Sequence, residues 1–399
     1  MVNIVELLFL GSLHFTLCRT CATSQNQKET CNHSVEERRL LGCWTHFELA
    51  KAVQLRYKVH KLHEVWTWEN WSSDLFSSYI NEFLKVKQEA SGWPPHVMST
   101  EAKERYLRDC REGMGIELEP SKVEHNPGLR FIAKLMLNSF WGKWGQRGDL
   151  VSTAFVSSIE EAWQKFADHT LEVISFTPLG ENVAMLTYKK RDIYETAYKH
   201  GSLPVAIMTT SQARLHLYQY LESLGERVVY YDTDSVIFRA TAQENTDLLS
   251  THKGELLGQL KDESPDDPIT HFVACGPKAY AYVTKSEKTC VKVRGITLDA
   301  DAASTVHYAS MKTQMERHLE LYRLRADKTR LIDEDGHHPN PSLITERPQI
   351  VRENRTTLRT VTREKKFNVV NNKGFFMEPH GSRLFAFGFD PDSLTSTNP

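Results

Sequence analysis

Apolar residues change period several times along this chain, and each change marks an element. They recur at helical spacing over Glu48–Val53, Leu75–Ala90, Asn126–Gly145, Ala206–Leu221 and His307–Leu324, so these stretches predict helices. Ser91-Gly92-Trp93-Pro94-Pro95 separates the second from the third as a turn. Alternation over Tyr57–Trp66 predicts a strand. Leu171–Thr177 and Val183–Tyr188 flank Pro178-Leu179-Gly180-Glu181-Asn182 as a hairpin, and Val228–Tyr230 with Val236–Phe238 predict a tighter one. Asp333–Pro341 is polar and proline-containing. No internal repeat is evident.

The tip of the tighter hairpin is Tyr231-Asp232-Thr233-Asp234-Ser235. Residues two apart on an extended chain face the same way, so Asp232 and Asp234 can present adjacent carboxylates to a hard divalent cation that a phosphate would share. Taken alone, the element is equally an ordinary Asp-rich turn or the metal-binding Asp-x-Asp of nucleotide-sugar glycosyltransferases. A second element bears on the choice. In the predicted helix Asn126–Gly145, Lys134, Asn138 and Trp141 or Gly142 recur on one face. A cation and an amide there suit a polyphosphate, whereas a merely solvated face has no use for Asn-Ser and Gly in mid-helix, which weaken it.

Composition narrows the class. A chain of 399 residues, 40% hydrophobic and 25% charged, can bury a core and divide into two or three subdomains. With a formal net charge of -2, nucleic-acid binding must come from local basic patches. Arg347–Lys373 is one, with eight Lys or Arg against two Glu. If Thr357–Lys365 is a strand, Arg359, Arg363 and Lys365 share a face able to neutralise phosphates, unless it is simply solvated. No run approaches a membrane span, and Val5–Leu10 is short and carries Glu6, so neither membrane nor export signal is expected. The sequons at Asn32, Asn70 and Asn354 then carry little meaning. Seven cysteines, four of them within Cys18–Cys43, do not suggest a disulfide framework, so a reducing compartment is expected.

Lys134-x3-Asn138-Ser139-x-Trp141-Gly142 and Tyr231–Ser235 resemble the motifs called B and C of family B DNA polymerases. The likeness is to the protein-primed branch of viruses, linear plasmids and self-synthesising DNA transposons. Lys278-Ala279-Tyr280 resembles that family's Lys-x-Tyr motif, and Lys292-Val293-Arg294-Gly295 its basic strand and glycine before the thumb. Motifs in this order over about residues 80–300 far exceed the specificity of any one of them. The resemblance implies an α+β right-hand polymerase fold: an antiparallel palm sheet, helical fingers and a C-terminal thumb. It divides the chain into an N-terminal segment (1–45), a palm strand and connector (46–79), fingers (80–147), palm (148–300), and thumb with C-terminal segment (301–399).

It also implies roles. Asp232 and Asp234 would carry Mg2+ for in-line attack of a primer hydroxyl on an α-phosphate. Lys134, Asn138 and Trp141 would hold the incoming deoxynucleoside triphosphate, although Trp141 replaces a more usual Tyr. Lys85 or Lys87 would add a phosphate-binding cation, unless both belong to a solvated basic face. Lys278, Tyr280, Lys292 and Arg294 would grip a DNA primer–template, and a terminal-protein primer is the implied partner for this branch. The setting would be intracellular, nuclear in a eukaryotic host. Cys18-x2-Cys21-x9-Cys31-x-His33 offers four ligands for a structural Zn2+, here expected to pin an insertion in the palm; the alternative is a set of reduced thiols.

One expected part is missing. The family carries a further aspartate in an Asp-x2-Ser-Leu-Tyr-Pro pattern before the fingers, and no such pattern lies between Met1 and Ser91. Asp74 is the nearest candidate, and it lacks both the proline and a preceding apolar strand. The exonuclease carboxylate motifs are also absent. The expectation is therefore the C-terminal part of a polymerase core, with an incomplete two-metal site, little activity alone and an unpaired sheet edge that makes solubility marginal. A catalytically inactive, polymerase-derived nucleic-acid-binding protein is the alternative. The glycosyltransferase reading leaves Lys134–Gly142 and Lys278–Tyr280 unexplained.

Overall fold

The computed structural model describes residues 16–26, 31–70, 72–147, 150–194, 201–240, 252–254, 256–324, 342–352, 358–370, 374–376 and 384–389. Asp333–Pro341, Val5–Leu10, Asn354, Arg355 and Lys373 lie outside these. The chain starts with short helices α1 (Arg19–Thr23) and α2 (Val35–Arg38), then α3 (His46–Gln54). Three longer helices follow: α4 (Ser77–Glu89), α5 (Thr100–Met114) and α6 (Pro127–Trp144). In α6 the Asn126 side chain accepts the Leu129 N–H, and Pro127 occupies a first-turn position where a missing N–H costs nothing. The element α5 has no counterpart among the expected helices, because its fifteen residues are mostly charged. Its signals were at the ends: Ser99 caps the Ala102 N–H, and Gly115 stops it with φ +69.

Helices α4 and α6 are antiparallel. Near the start of α4, the Tyr79 hydroxyl donates to the Met136 carbonyl at 3.2 Å, and the Phe76 ring lies 5.1 Å from Phe140 and 5.5 Å from Trp144. At the other end, the N–H groups of Glu124 and Asn126 donate to the carbonyls of Glu89 and Ala90. The core of this lobe is Leu84, Val97, Tyr106, Cys110, Ile116, Leu118 and Val123. Its outer face is left open: Phe131, Ile132 and Leu135 of α6 are all more than half exposed.

The expected first hairpin is present as β2 (Leu171–Pro178) and β3 (Ala184–Lys190), and β1 (Ser152–Val156) pairs with the far side of β3. Between β1 and β2 lies α7 (Ile159–Ala167), which the apolar pattern did not mark. Helix α8 (Leu203–Leu224) outruns the expected Ala206–Leu221 at both ends. It holds α3 through polar contacts: Thr45 and Ser211 hydroxyls meet at 2.5 Å, and the buried Glu48 carboxylate accepts from Arg214 Nε at 2.8 Å. The expected strand Tyr57–Trp66 does not form. Those residues are irregular and, apart from half-buried Tyr57, exposed, because among the described residues no neighbouring strand offers the ladder that alternation needs.

Strands β4 (Val228–Asp232) and β5 (Ser235–Phe238) form the expected tight hairpin. A meander follows, β6 (Ile269–Gly276), β7 (Ala279–Thr284) and β8 (Thr289–Val293), then α9 (Ala300–Thr305) and α10 (Tyr308–Leu324), the latter packed over the meander. Val273, Cys275, Ala281, Val306, Met311, Phe367 and Val369 make its core. Then come a ten-residue hairpin of β9 (Leu343–Arg352) and β10 (Leu358–Phe367), and the short pair β11 (Phe375–Phe376) and β12 (Leu384–Phe385). The fold is mixed helix and antiparallel sheet, an α+β protein. It is not built on one continuous palm sheet: among the described residues, β4–β5 and β6–β8 hydrogen-bond as separate sheets. Register puts Arg359, Arg363 and Lys365 on one face of β10, as expected, with Arg347 directly across from Arg363.

Candidate functional site

Two hairpin tips meet at the Asp-x-Asp element. The β4–β5 turn is Thr233-Asp234, and Thr233 is β-branched yet held at φ +52. Such a residue there carries strain of about 1–2 kcal/mol. The β6–β7 turn is Pro277-Lys278, in which proline presets the first position and Lys278 takes φ +55, normally a glycine site. The tips are joined by Lys278. Its N–H donates to the Tyr230 hydroxyl at 2.9 Å, and its Nζ donates to both oxygens of Asp232 at 2.8 and 2.7 Å. The Thr233 hydroxyl donates to Asp232 Oδ1 at 2.9 Å, while Asp234 is exposed.

Aromatic packing supports the junction. The Tyr230 ring lies 4.8 Å from Tyr280 and 5.9 Å from Phe272. Burial pushes the Tyr230 hydroxyl pKa up, and the Lys278 N–H works against that shift. Lys292 stands directly across from Tyr280 in the β7–β8 ladder, and the Arg294 N–H donates to the Lys278 carbonyl at 3.0 Å. Lys278 on the turn, Tyr280 in β7, Lys292 in β8 and Arg294 just after it are thus gathered at one end of the meander. As a site for Mg2+ the tip is half equipped. Asp234 offers an open carboxylate, but Asp232 already carries an ammonium. Among the described residues only Cys18, Cys21, Cys31 and His33 assemble three or more ligand atoms, so no third carboxylate joins the pair. This donor set fits one weakly held Mg2+, not a two-metal centre.

A second basic site lies between α4 and α6. Lys134, Asn138 and Trp141 all lie exposed along α6. The two lysines of α4 part company. Lys85 Nζ lies 2.7 Å from Glu119 and 3.9 Å from Glu89, and the Glu119 bond raises its pKa. Lys122 and Lys85 together pull the Glu119 carboxyl down to about 2. Burial pushes the Lys87 amine down, and the charges of Arg130 and Lys134 push it further. Lys87, Arg130 and Lys134 therefore form a mutually repelling trio that a polyphosphate would relieve. Arg130 escaped the sequence reading, although Arg130, Lys134 and Asn138 stand four apart along one helix face. Its Nε donates to Ser91 Oγ at 3.0 Å, and that hydroxyl donates to the Lys87 carbonyl at 2.7 Å.

Helix α8 connects the two sites. At its start the Ser202 N–H donates to the Trp144 carbonyl of α6 at 2.8 Å. At its end Tyr220 and Leu224 pack with Val228, Val236 and Phe238 of the hairpin.

The cysteine cluster converges. His33 Nδ1 lies 3.5, 3.2 and 3.4 Å from the sulfurs of Cys18, Cys21 and Cys31, and all four ligand atoms fall within 4.8 Å of one another. A tetrahedral ion with bonds of about 2.0–2.3 Å spaces its ligands in this way. Burial pushes the Cys21 thiol up to about 12; it pushes Cys31 up too, but His33 and the neighbouring thiols outweigh it and bring Cys31 to about 7. The group could hold a metal. The expectation from sequence is that it pins an insertion in the palm; in the structure it packs against the C-terminal strands, its buried cysteines sharing a core with Phe375, Phe385 and Phe387.

The sequence model of the family described as DNA polymerase type B, organellar and viral, matches residues 118–224. That stretch runs from just before α6 to the end of α8, and the Asp-x-Asp hairpin follows immediately. The match supports DNA polymerase at the level of family, with DNA and deoxynucleoside triphosphates as the family's substrates. No curated protein and no solved structure matches the chain. No helix among the described residues is long and apolar enough to cross a membrane.

Proposed function

We propose that this chain is the nucleotide- and DNA-binding part of a protein-primed-type family B polymerase core whose metal centre is incomplete, so that alone it has little or no nucleotidyl-transfer activity. Lys87, Arg130, Lys134 and Asn138 receive the triphosphate, and Trp141 stacks near the base. Tyr280, Lys292 and Arg294 follow the primer–template backbone, with a terminal protein as the priming partner and the nucleus of a eukaryotic host as the setting. Asp234 would hold Mg2+, which would supply charge neutralisation at the reacting phosphate. Lys278 exchanges Asp232 for a DNA phosphate, which frees the second carboxylate only when template is present. The Cys3His group is a separate site for structural Zn2+.

The observation that carries this reading is the contact of Lys278 with Asp232. It unites two motifs 46 residues apart, both C-terminal to the segment 118–224 that matches a polymerase family. A catalytically inactive, polymerase-derived DNA-binding protein is the second reading, favoured because no third carboxylate joins the pair among the described residues. Primer extension with purified protein, Mg2+ and four deoxynucleotides, beside binding of the same primer–template across a salt series, tests both. We expect little extension and affinity that falls steeply with salt. Robust extension abolished by Asp234→Ala would overturn the incomplete centre; absent or salt-insensitive binding would overturn the DNA-binding role.

A further inference from the structure

We infer that the Cys3His group is a zinc clasp that fastens the C-terminal strands to the N-terminal segment. The three cysteines of the group pack against the core to which Phe385 and Phe387 belong. Cys18 and Cys21 are 0% and 1% exposed and share a core with Phe375, Phe385 and Phe387. The N–H groups of Leu17 and Cys18 both donate to the Phe387 carbonyl, at 2.9 and 3.2 Å. Gly388, at φ +84, lies so close that a Cβ there would meet Cys18 Cβ at 2.4 Å. The Arg38 guanidinium spans the two halves, donating to Cys31 Sγ at 3.0 Å and to the Gly388 carbonyl at 3.1 Å.

The elements joined here are too short to hold one another. Helices α1 and α2 have five and four residues, and β11 pairs with β12 over two. Helices and hairpins of that size are unstable in water without a larger core or a cross-link. Four ligand atoms already gathered within 4.8 Å supply the place for one, and metal binding at such a site is folding free energy. Three thiolates and an imidazole select a borderline-soft ion such as Zn2+ over Mg2+. Together they leave one negative charge on the complex, which Arg38 offsets while it ties the carbonyl of Gly388 to the site. The clasp stands on these contacts alone and is independent of the polymerase reading.

The test uses the full chain purified with zinc. Metal content is measured, then hydrogen exchange is followed with zinc bound, after chelation, and after adding back Zn2+ or Mg2+. We expect stoichiometric zinc, and joint loss of protection in residues 16–26, 31–38 and 384–389 on chelation. Helices α4 to α6 should be unaffected, and Zn2+ alone should restore protection. Arg38→Ala, which removes no ligand, should weaken zinc retention by about 10- to 100-fold in a competition with a chromogenic chelator. Cys31→Ser, which removes a ligand, should abolish stoichiometric zinc; if that variant fails to fold, Arg38→Ala still reports. Absence of zinc, a disulfide among Cys18, Cys21 and Cys31, or bound zinc whose removal leaves exchange at 384–389 unchanged would each overturn the clasp.

Discussion

Replacing Lys278 by methionine separates two roles that its ammonium now combines. In the folded chain Nζ lies 2.8 and 2.7 Å from the two oxygens of Asp232. A Mg2+ or Mn2+ ion bound to those oxygens at about 2.1 Å would sit about 4 Å from the ammonium. Charges of +2 and +1 at about 4 Å repel by about 2 kcal/mol even at the dielectric constant of water. Lys278 can swing partly away, so we expect Lys278→Met to tighten metal binding by about 5- to 30-fold. The loss of stability should be small. Lys278 is 51% exposed and Asp232 23%, and an ion pair in that setting contributes about 1 kcal/mol or less. Electron paramagnetic resonance of Mn2+ counts the free ion directly and gives the affinity. Asp234→Asn serves as the control that removes the open carboxylate. Unchanged or weaker Mn2+ binding in Lys278→Met would refute the idea that Lys278 guards Asp232. The same variant should lower the salt slope of DNA binding by about one ion, since one phosphate contact is gone.

Other consequences follow from named contacts. Lys87→Met should weaken deoxynucleotide binding by about tenfold or more in calorimetry, whereas Lys85→Met should leave it near wild type, because Lys85 is committed to Glu119. Burial, then Arg130 and Lys134, hold the Lys87 pKa below its ordinary value, so its ammonium is lost early as pH rises. Nucleotide affinity should therefore fall sooner on the alkaline side in the native chain than in Lys87→Arg, while the stability penalty of the crowded charge is relieved over the same rise. Arg214→Leu strands the buried Glu48 carboxylate and should cost about 3 kcal/mol in urea unfolding. Thr233→Gly should raise stability by about 1 kcal/mol, since only glycine accepts φ +52 without strain.

The parts of the fold that were legible are those whose cause is local. Helix α6 has a cap, a proline and a helical apolar period in one stretch, and its expected limits differ from the observed ones by a residue at each end. Hairpins β2–β3 and β4–β5 announce themselves by alternation around short polar turns. Where a second element decides, sequence failed. Tyr57–Trp66 alternates as well as many strands do, yet among the described residues no strand ladders with it. Charge density masked α5, whose inward face is Ala102, Tyr106, Leu107, Cys110 and Met114. Lys85 and Lys87 are indistinguishable in sequence, and only Glu119, Arg130 and Lys134 tell them apart.

The sequence by itself determined the chemistry available: a carboxylate pair on a turn, a Lys–Asn helix face, three cysteines and a histidine at ligand spacing, and no third carboxylate motif before the fingers. Tertiary structure alone decided what each meets. It set Lys278 on Asp232, gathered Arg130 with Lys87 and Lys134, and moved the cysteine cluster onto the C-terminal strands. The reason is range. Period, caps and turn residues act over a few positions, whereas the partners of a charge or a thiol are set by packing between segments far apart in the chain, which no local pattern encodes.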